Sequence, residues 1–162
     1  QGGGEAATLE PLHEHLFEYK THMMQNYGAG VQACYRGPRL YDTPETQAAV
    51  TEVIQWYKKY RDILNSDMIH LRRPDARDWD GFIHVNPHKK EKGLAMFFNP
   101  THQEITRTIH IPLYYTGLTQ TARIREKEQK PVTYKLNRNY TVELTVKIPA
   151  NGYTWYVVEA AD

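Results

Sequence analysis

The chain has 162 residues, of which 40% are hydrophobic and 24% charged, a balance that supports a folded core and excludes a disordered chain. Its 20 lysines and arginines against 19 acids leave a net charge of +1, so neither nucleic acid nor a membrane is expected as a partner. Cys34 is the single cysteine, which excludes an internal disulfide and a multi-cysteine metal site. No run approaches the roughly 18 apolar residues of a membrane span, and no basic start followed by an apolar stretch marks a secretory signal.

The opening Gln1-Gly2-Gly3-Gly4 reads as part of a flexible lead-in over residues 1–8. From Thr8 to about Gln25, Leu9, Leu12, Leu16, Tyr19 and Met23 recur at three or four residues, the spacing of one face of an amphipathic helix. Thr8 suits the N-cap and Pro11 the first turn. A second helix follows Thr43 as N-cap, with Pro44 at the first helical position and Glu45 in the first turn. Its apolar stripe runs through Ala49, Val53, Trp56, Tyr57, Tyr60 and Leu64. Between the helices, glycines and a Gly-Pro pair bracket a short apolar run from Gly30 to Tyr35 with the composition of a strand. A lone strand has nothing to pair with, so this run is expected as loop or on a borrowed partner.

After Ser66 the period changes to two. Met68 to Leu71, Phe82 to Val85, Leu94 to Phe98, Ile105 to Tyr115, Ala122 to Arg125, Val132 to Leu136, Tyr140 to Ile148 and Tyr153 to Val158 read as strands, separated by turn residues such as Asn99-Pro100 and Asn151-Gly152. Thr141 to Ile148 alternates without a fault, so one face of that strand must be buried. The expected fold is therefore α+β: an N-terminal helical pair over 9–65, then an antiparallel β-sandwich of about eight strands over 66–160.

Few residues offer local chemistry. His13 and His15 stand two apart and diverge on a helix. His84 and His88 flank a turn, read as a solvated loop pair without further metal ligands nearby. Cys34 beside Ala33 reads as a small buried hydrophobe rather than a nucleophile. No metalloprotease, nucleophile-elbow, phosphate-loop or dinucleotide signature occurs. No cofactor is expected. The charged segment from Arg72 to Asp80 supports two readings: a sugar contact, with Trp79 stacking on a pyranose while Asp78 and Asp80 accept from hydroxyls, or a surface loop laced by ion pairs. As a glycosidase pair the two aspartates fare worse, because that mechanism needs carboxylates facing each other across a cleft. Asn139-Tyr140-Thr141 fits a glycan acceptor, of consequence only in a secretory eukaryotic host.

The stretches Tyr27-Gly28-Ala29-Gly30-Val31, Ile54 to Leu64 with its Tyr57-Lys58-Lys59-Tyr60-Arg61, and Asn65 to Arg72 together resemble the exit from the catalytic barrel of α-galactosidase-like glycoside hydrolases. Asn86 to Pro100 resembles the second and third strands of the C-terminal sandwich of that group, and Ile148 to Glu159 its final hairpin. The resemblance implies that the front is the last piece of a (β/α)8 barrel and that the main partner is an upstream catalytic barrel of the same protein. It also implies an exported bacterial enzyme, periplasmic or extracellular. The family's two catalytic aspartates lie on earlier barrel strands, so no catalytic residue carries over. Because loops after barrel strands line the active-site face, Tyr35, Arg36, Arg39 and Tyr41 are the implied substrate contacts, against the plainer reading of a packed loop.

The expected function is that of an accessory region which stabilises the barrel and does not catalyse alone. A carbohydrate-binding module, with oligosaccharide as partner and Trp79 as its most promising exposed aromatic, is the alternative. A free-standing enzyme would need two apposed carboxylates or a histidine-bearing triad.

Overall fold

The computed structural model describes residues 11–31 and 39–161, and the chain divides into two compact units, Gln1–Leu64 and Asn65–Asp162. In the first unit, Pro11 is extended, at φ −73° and ψ 138°, and cannot continue a helix. The helix expected from Thr8 therefore starts later. A 3-10 turn, Leu12–Glu14, is followed by a break at His15 and then by α1, Leu16–Gly28. Thr8 and Leu9 lie outside the described residues. Gly30 takes φ 78° beyond the end of α1, and the N–H of Val31 returns to the Asn26 carbonyl at 3.1 Å, a left-handed closure that glycine adopts readily. The remainder of the expected Gly30–Tyr35 strand lies outside the described residues.

The second helix, α2, spans Pro44–Leu64 as its start signals predict. The Thr43 hydroxyl accepts from the N–H of Thr46 at 3.3 Å. In return the fully buried Thr46 hydroxyl accepts from the N–H groups of Asp42 and Thr43, at 2.9 and 3.0 Å. This reciprocal cap satisfies amides that the first turn cannot. Tyr27 of α1 packs on Tyr57 of α2 with ring centroids 5.2 Å apart, while Tyr19, Met23, Val53 and Tyr60 are buried.

The second unit holds, among the described residues, eight strands: β1 Asp67–Arg72, β2 Asp80–Val85, β3 Glu91–Phe98, β4 Ile105–Pro112, β5 Thr121–Glu126, β6 Val132–Lys135, β7 Thr141–Ile148 and β8 Tyr153–Glu159. All pairings are antiparallel. Six strands form one sheet in the order β1-β2-β3-β8-β5-β6, and β4 and β7 form a second. The faultless alternation of β7 puts Val142, Leu144, Val146 and Ile148 into the core and Glu143, Thr145 and Lys147 into solvent. Central strands β3 and β8 read instead as unbroken apolar runs, because Ala95 and Phe97 are buried on one face and Leu94 and Met96 on the other.

The expected strand through Tyr115 stops at Pro112. Proline has no N–H for the ladder, the Leu113 N–H turns to the Tyr140 carbonyl at 2.8 Å, and a 3-10 turn, Tyr114–Thr116, closes on Gly117 at φ 80°. The chain thus changes sheets at both ends of the sandwich: between β3 and β4 and between β7 and β8 at one end, and between β4 and β5 and between β6 and β7 at the other.

Gly81 faces Phe97 across β2 and β3, and a Cβ there would meet the Met96 carbonyl oxygen at 2.5 Å and the Phe97 ring at 3.2 Å. Gly81→Ala is expected to destabilise the sandwich by about 1–3 kcal/mol, since a backbone oxygen must move. Urea titration followed by tryptophan fluorescence should show the lower midpoint.

Candidate functional site

Of the sequence-predicted contacts in the first unit, Tyr35 and Arg36 lie outside the described residues, as does Cys34. Arg39 and Tyr41 are exposed on the segment that enters α2. That segment is held from below. The Tyr19 hydroxyl donates to the Leu40 carbonyl at 2.7 Å, and the buried Asp42 carboxylate takes the His13 N–H at 3.1 Å, the His13 ring Nδ1 at 2.7 Å and the Thr46 hydroxyl at 3.0 Å. Burial pushes the Asp42 carboxyl up, but the His13 and Thr46 hydrogen bonds outweigh it and hold the carboxyl down at about 2. His15 sits at the break before α1, off any helix shared with His13, and its Nδ1 lies 3.5 Å from Glu18.

In the second unit, Trp79 is half-buried and is not an open platform. Its ring packs on Phe97 at 5.9 Å, the Arg72 guanidinium lies 6.0 Å over it, and Arg72 Nη1 donates to its carbonyl oxygen. The missing side chain of Gly81 makes room for this packing. The surrounding charges are mutually engaged. Arg72 forks onto Asp75 at 2.8 and 3.3 Å, an arrangement that, with the N–H groups of Arg77 and Asp78, holds the Asp75 carboxyl well below its ordinary range. Asp78 accepts from Arg107 Nε at 3.1 Å, so that Arg107, on the same side of β4 as Ile105, Ile109 and Ile111, is neutralised. Asp80 has a different environment. Burial pushes it up to about 6, against the pull of the Arg72 guanidinium.

His84 does not belong to a solvated loop pair. Within β2, His84 is buried at 1% exposure, with Nδ1 3.3 Å from the Ser66 carbonyl oxygen and its ring edge-on to Phe82; His88 is exposed in the following turn. Its neighbour Val85 opens onto the opposite end of the sandwich from Trp79. There Asp67, Ile69, Val85, Pro87 and Tyr115 line a groove of about 360 Å³. Beside it stand the exposed rings of Tyr114, Tyr115 and Tyr140. The only sequence signal for this cluster is aromatic residues placed at turns, Tyr114-Tyr115 ahead of Gly117 and Tyr140 after Asn137-Arg138-Asn139, where small polar residues are the rule.

No family model matches the sequence, and no curated protein matches it. Solved structures do match the fold. A GH27 β-L-arabinopyranosidase from Geobacillus stearothermophilus matches 90% of this chain with 30% of its own at TM-score 0.60 and 11% identity. α-Galactosidase I from Mortierella vinacea matches 88% with 35% at 0.56 and 13% identity. The chain has the fold of the C-terminal part of these glycoside hydrolases. An α-amylase from Geobacillus thermoleovorans, solved with acarbose, matches 89% with 33% of its own chain at 0.60 and 12% identity, so the fold names no single sugar. The chain spans about a third of the length of each.

The two displaced carboxyls set opposite pH trends. Asp42 favours its ionised form in the folded state, so its stabilisation is complete above about pH 4 and is lost as the pH falls towards 2. Asp80 favours its protonated form, so stability falls as the pH rises from about 4 to 6 and then levels. Asp42→Asn is expected to lower the urea midpoint at pH 7, and Asp80→Asn to raise it. Each difference from the parent should close on acidification, for Asp80 below about pH 4 and for Asp42 only near pH 2.

Proposed function

We propose that the chain is the C-terminal accessory region of a glycoside hydrolase: the end of a (β/α)8 barrel over 9–65 and a β-sandwich over 66–160 that stabilises the barrel and does not catalyse alone. The observation that carries this reading is the match in fold of about nine-tenths of this chain to about a third of hydrolase chains. The charged segment supports it, because Asp75 and Asp78 are taken up in ion pairs with Arg72 and Arg107 that brace the loop. On this reading the exposed Arg39 and Tyr41, with Tyr35 and Arg36, belong to a loop on the active-site face of the parent enzyme, and Trp79 serves packing.

Two measurements test it. The coding sequence upstream of Gln1 should encode the rest of a barrel with aspartates at strand ends; an initiator methionine immediately before Gln1 would overturn the proposal. In the parent protein, deletion of 66–162 should lower Tm by about 10 °C or more, or abolish folding, whereas an unchanged Tm would refute a stabilising role.

A further inference from the structure

We propose that Tyr114, Tyr115 and Tyr140, with the adjoining groove, form a carbohydrate-binding site for neutral oligosaccharides. The three rings are 61%, 64% and 36% exposed. Tyr114 stands edge-to-face with both others, its centroid 5.1 Å from Tyr115 and 5.4 Å from Tyr140. Open phenol rings offer faces for the C–H side of a pyranose and hydroxyls for its rim, a combination suited to a ligand that is apolar on one side and polar at its edge. Tyr115 also lines the groove, together with the apolar Ile69, Val85 and Pro87 and with Asp67, a residue type that accepts from sugar hydroxyls. The groove's volume of about 360 Å³ lies in the range of small-ligand sites and is too small for a helix or an added strand, which favours a sugar over a protein segment.

The platform is built before any ligand arrives. Leu113 and Tyr140 are joined through the backbone at 2.8 Å, the buried Thr116 hydroxyl bonds the Leu113 carbonyl, and the Gly117 N–H bonds the Tyr114 carbonyl at 3.2 Å. Gly117 abuts the groove wall so closely that a Cβ would lie 3.0 Å from the Pro87 Cβ. Held turns of this kind reduce the ordering cost of binding. Tyr140 itself occupies φ 59°, a left-handed conformation that a bulky side chain rarely takes and that asparagine or glycine would hold with less strain. The ring is what the position gains in exchange.

The ligand class rests on the tyrosines and groove and not on the hydrolase reading; a chain that binds sugar but lacks an upstream barrel would overturn only the latter. Calorimetry of the full 162-residue chain with maltoheptaose, cellohexaose and a galactomannan oligosaccharide, each to about 20 mM, tests the site. At least one sugar should bind saturably with Kd of about 1 mM, and both Tyr115→Ala and Tyr140→Gly should weaken it about tenfold. Tyr140→Gly should meanwhile keep or raise the urea midpoint, which separates loss of the ring from loss of the fold. No heat with any of the sugars, or unchanged binding in both variants, overturns the proposal. So does a concentration-dependent dimer that the same variants abolish, because it assigns the patch to a second copy of the chain.

Discussion

The sandwich depends on one buried amide at the end where β3 passes to β4 and β7 to β8. Asn99, 2% exposed, directs its Nδ2 towards the carbonyl oxygens of Gln103 at 2.8 Å and of Ile148 and Pro149 at 3.2 Å. Its Oδ1 accepts from the N–H and hydroxyl of Thr101, and its own N–H bonds the Gly152 carbonyl. Two strand-to-strand passages are thereby fastened to one side chain. Without it, the carbonyls of Gln103, Ile148 and Pro149 would lose this partner at the rim of the core, each buried group left unpaired costing about 1–3 kcal/mol.

Once that end is fastened, the pairing of β4 with β7 follows in register from Ile105 opposite Ile148 to Pro112 opposite Thr141. The four inward residues of β7 then meet Ile83, Phe97, Ile124 and Val158 of the larger sheet in a single core. Charge near the fastened end is used to hold loops. Arg107 and Asp78 tie the β1–β2 connection to β4, while Arg72 braces Trp79 from outside. The far end is closed by backbone hydrogen bonds and a left-handed glycine, which leaves its aromatic side chains free of structural duty. The polar end is therefore occupied with itself, and the tyrosine end is open.

Much of the fold was legible in the chain because burial imposes a period. The 21 residues of α2 carried both a start signal and a stripe, and β7 alternated without fault. Failures occurred where a local rule competed with another. Pro11 suited a first helical turn but is extended; Pro112 ended a strand that the apolar pattern carried on to Tyr115; His84, read as solvated beside the Asn86-Pro87 turn, is buried in its strand. At the candidate sites, Trp79 drew attention by its charged neighbours, and those same charges are what fold it away.

By itself the sequence determined the α+β order of two helices before the strands, the number of strands and the alternation of β7, since these follow from hydrophobic period and turn chemistry along a continuous stretch. Tertiary structure alone decided the strand order, which strands left the main sheet, and which aromatics stayed exposed. Those properties depend on pairings between residues far apart in the chain: Leu113 with Tyr140, Arg107 with Asp78, Asn99 with Ile148. No local pattern encodes such pairs, so the tyrosine platform came into view only when two distant turns were brought together.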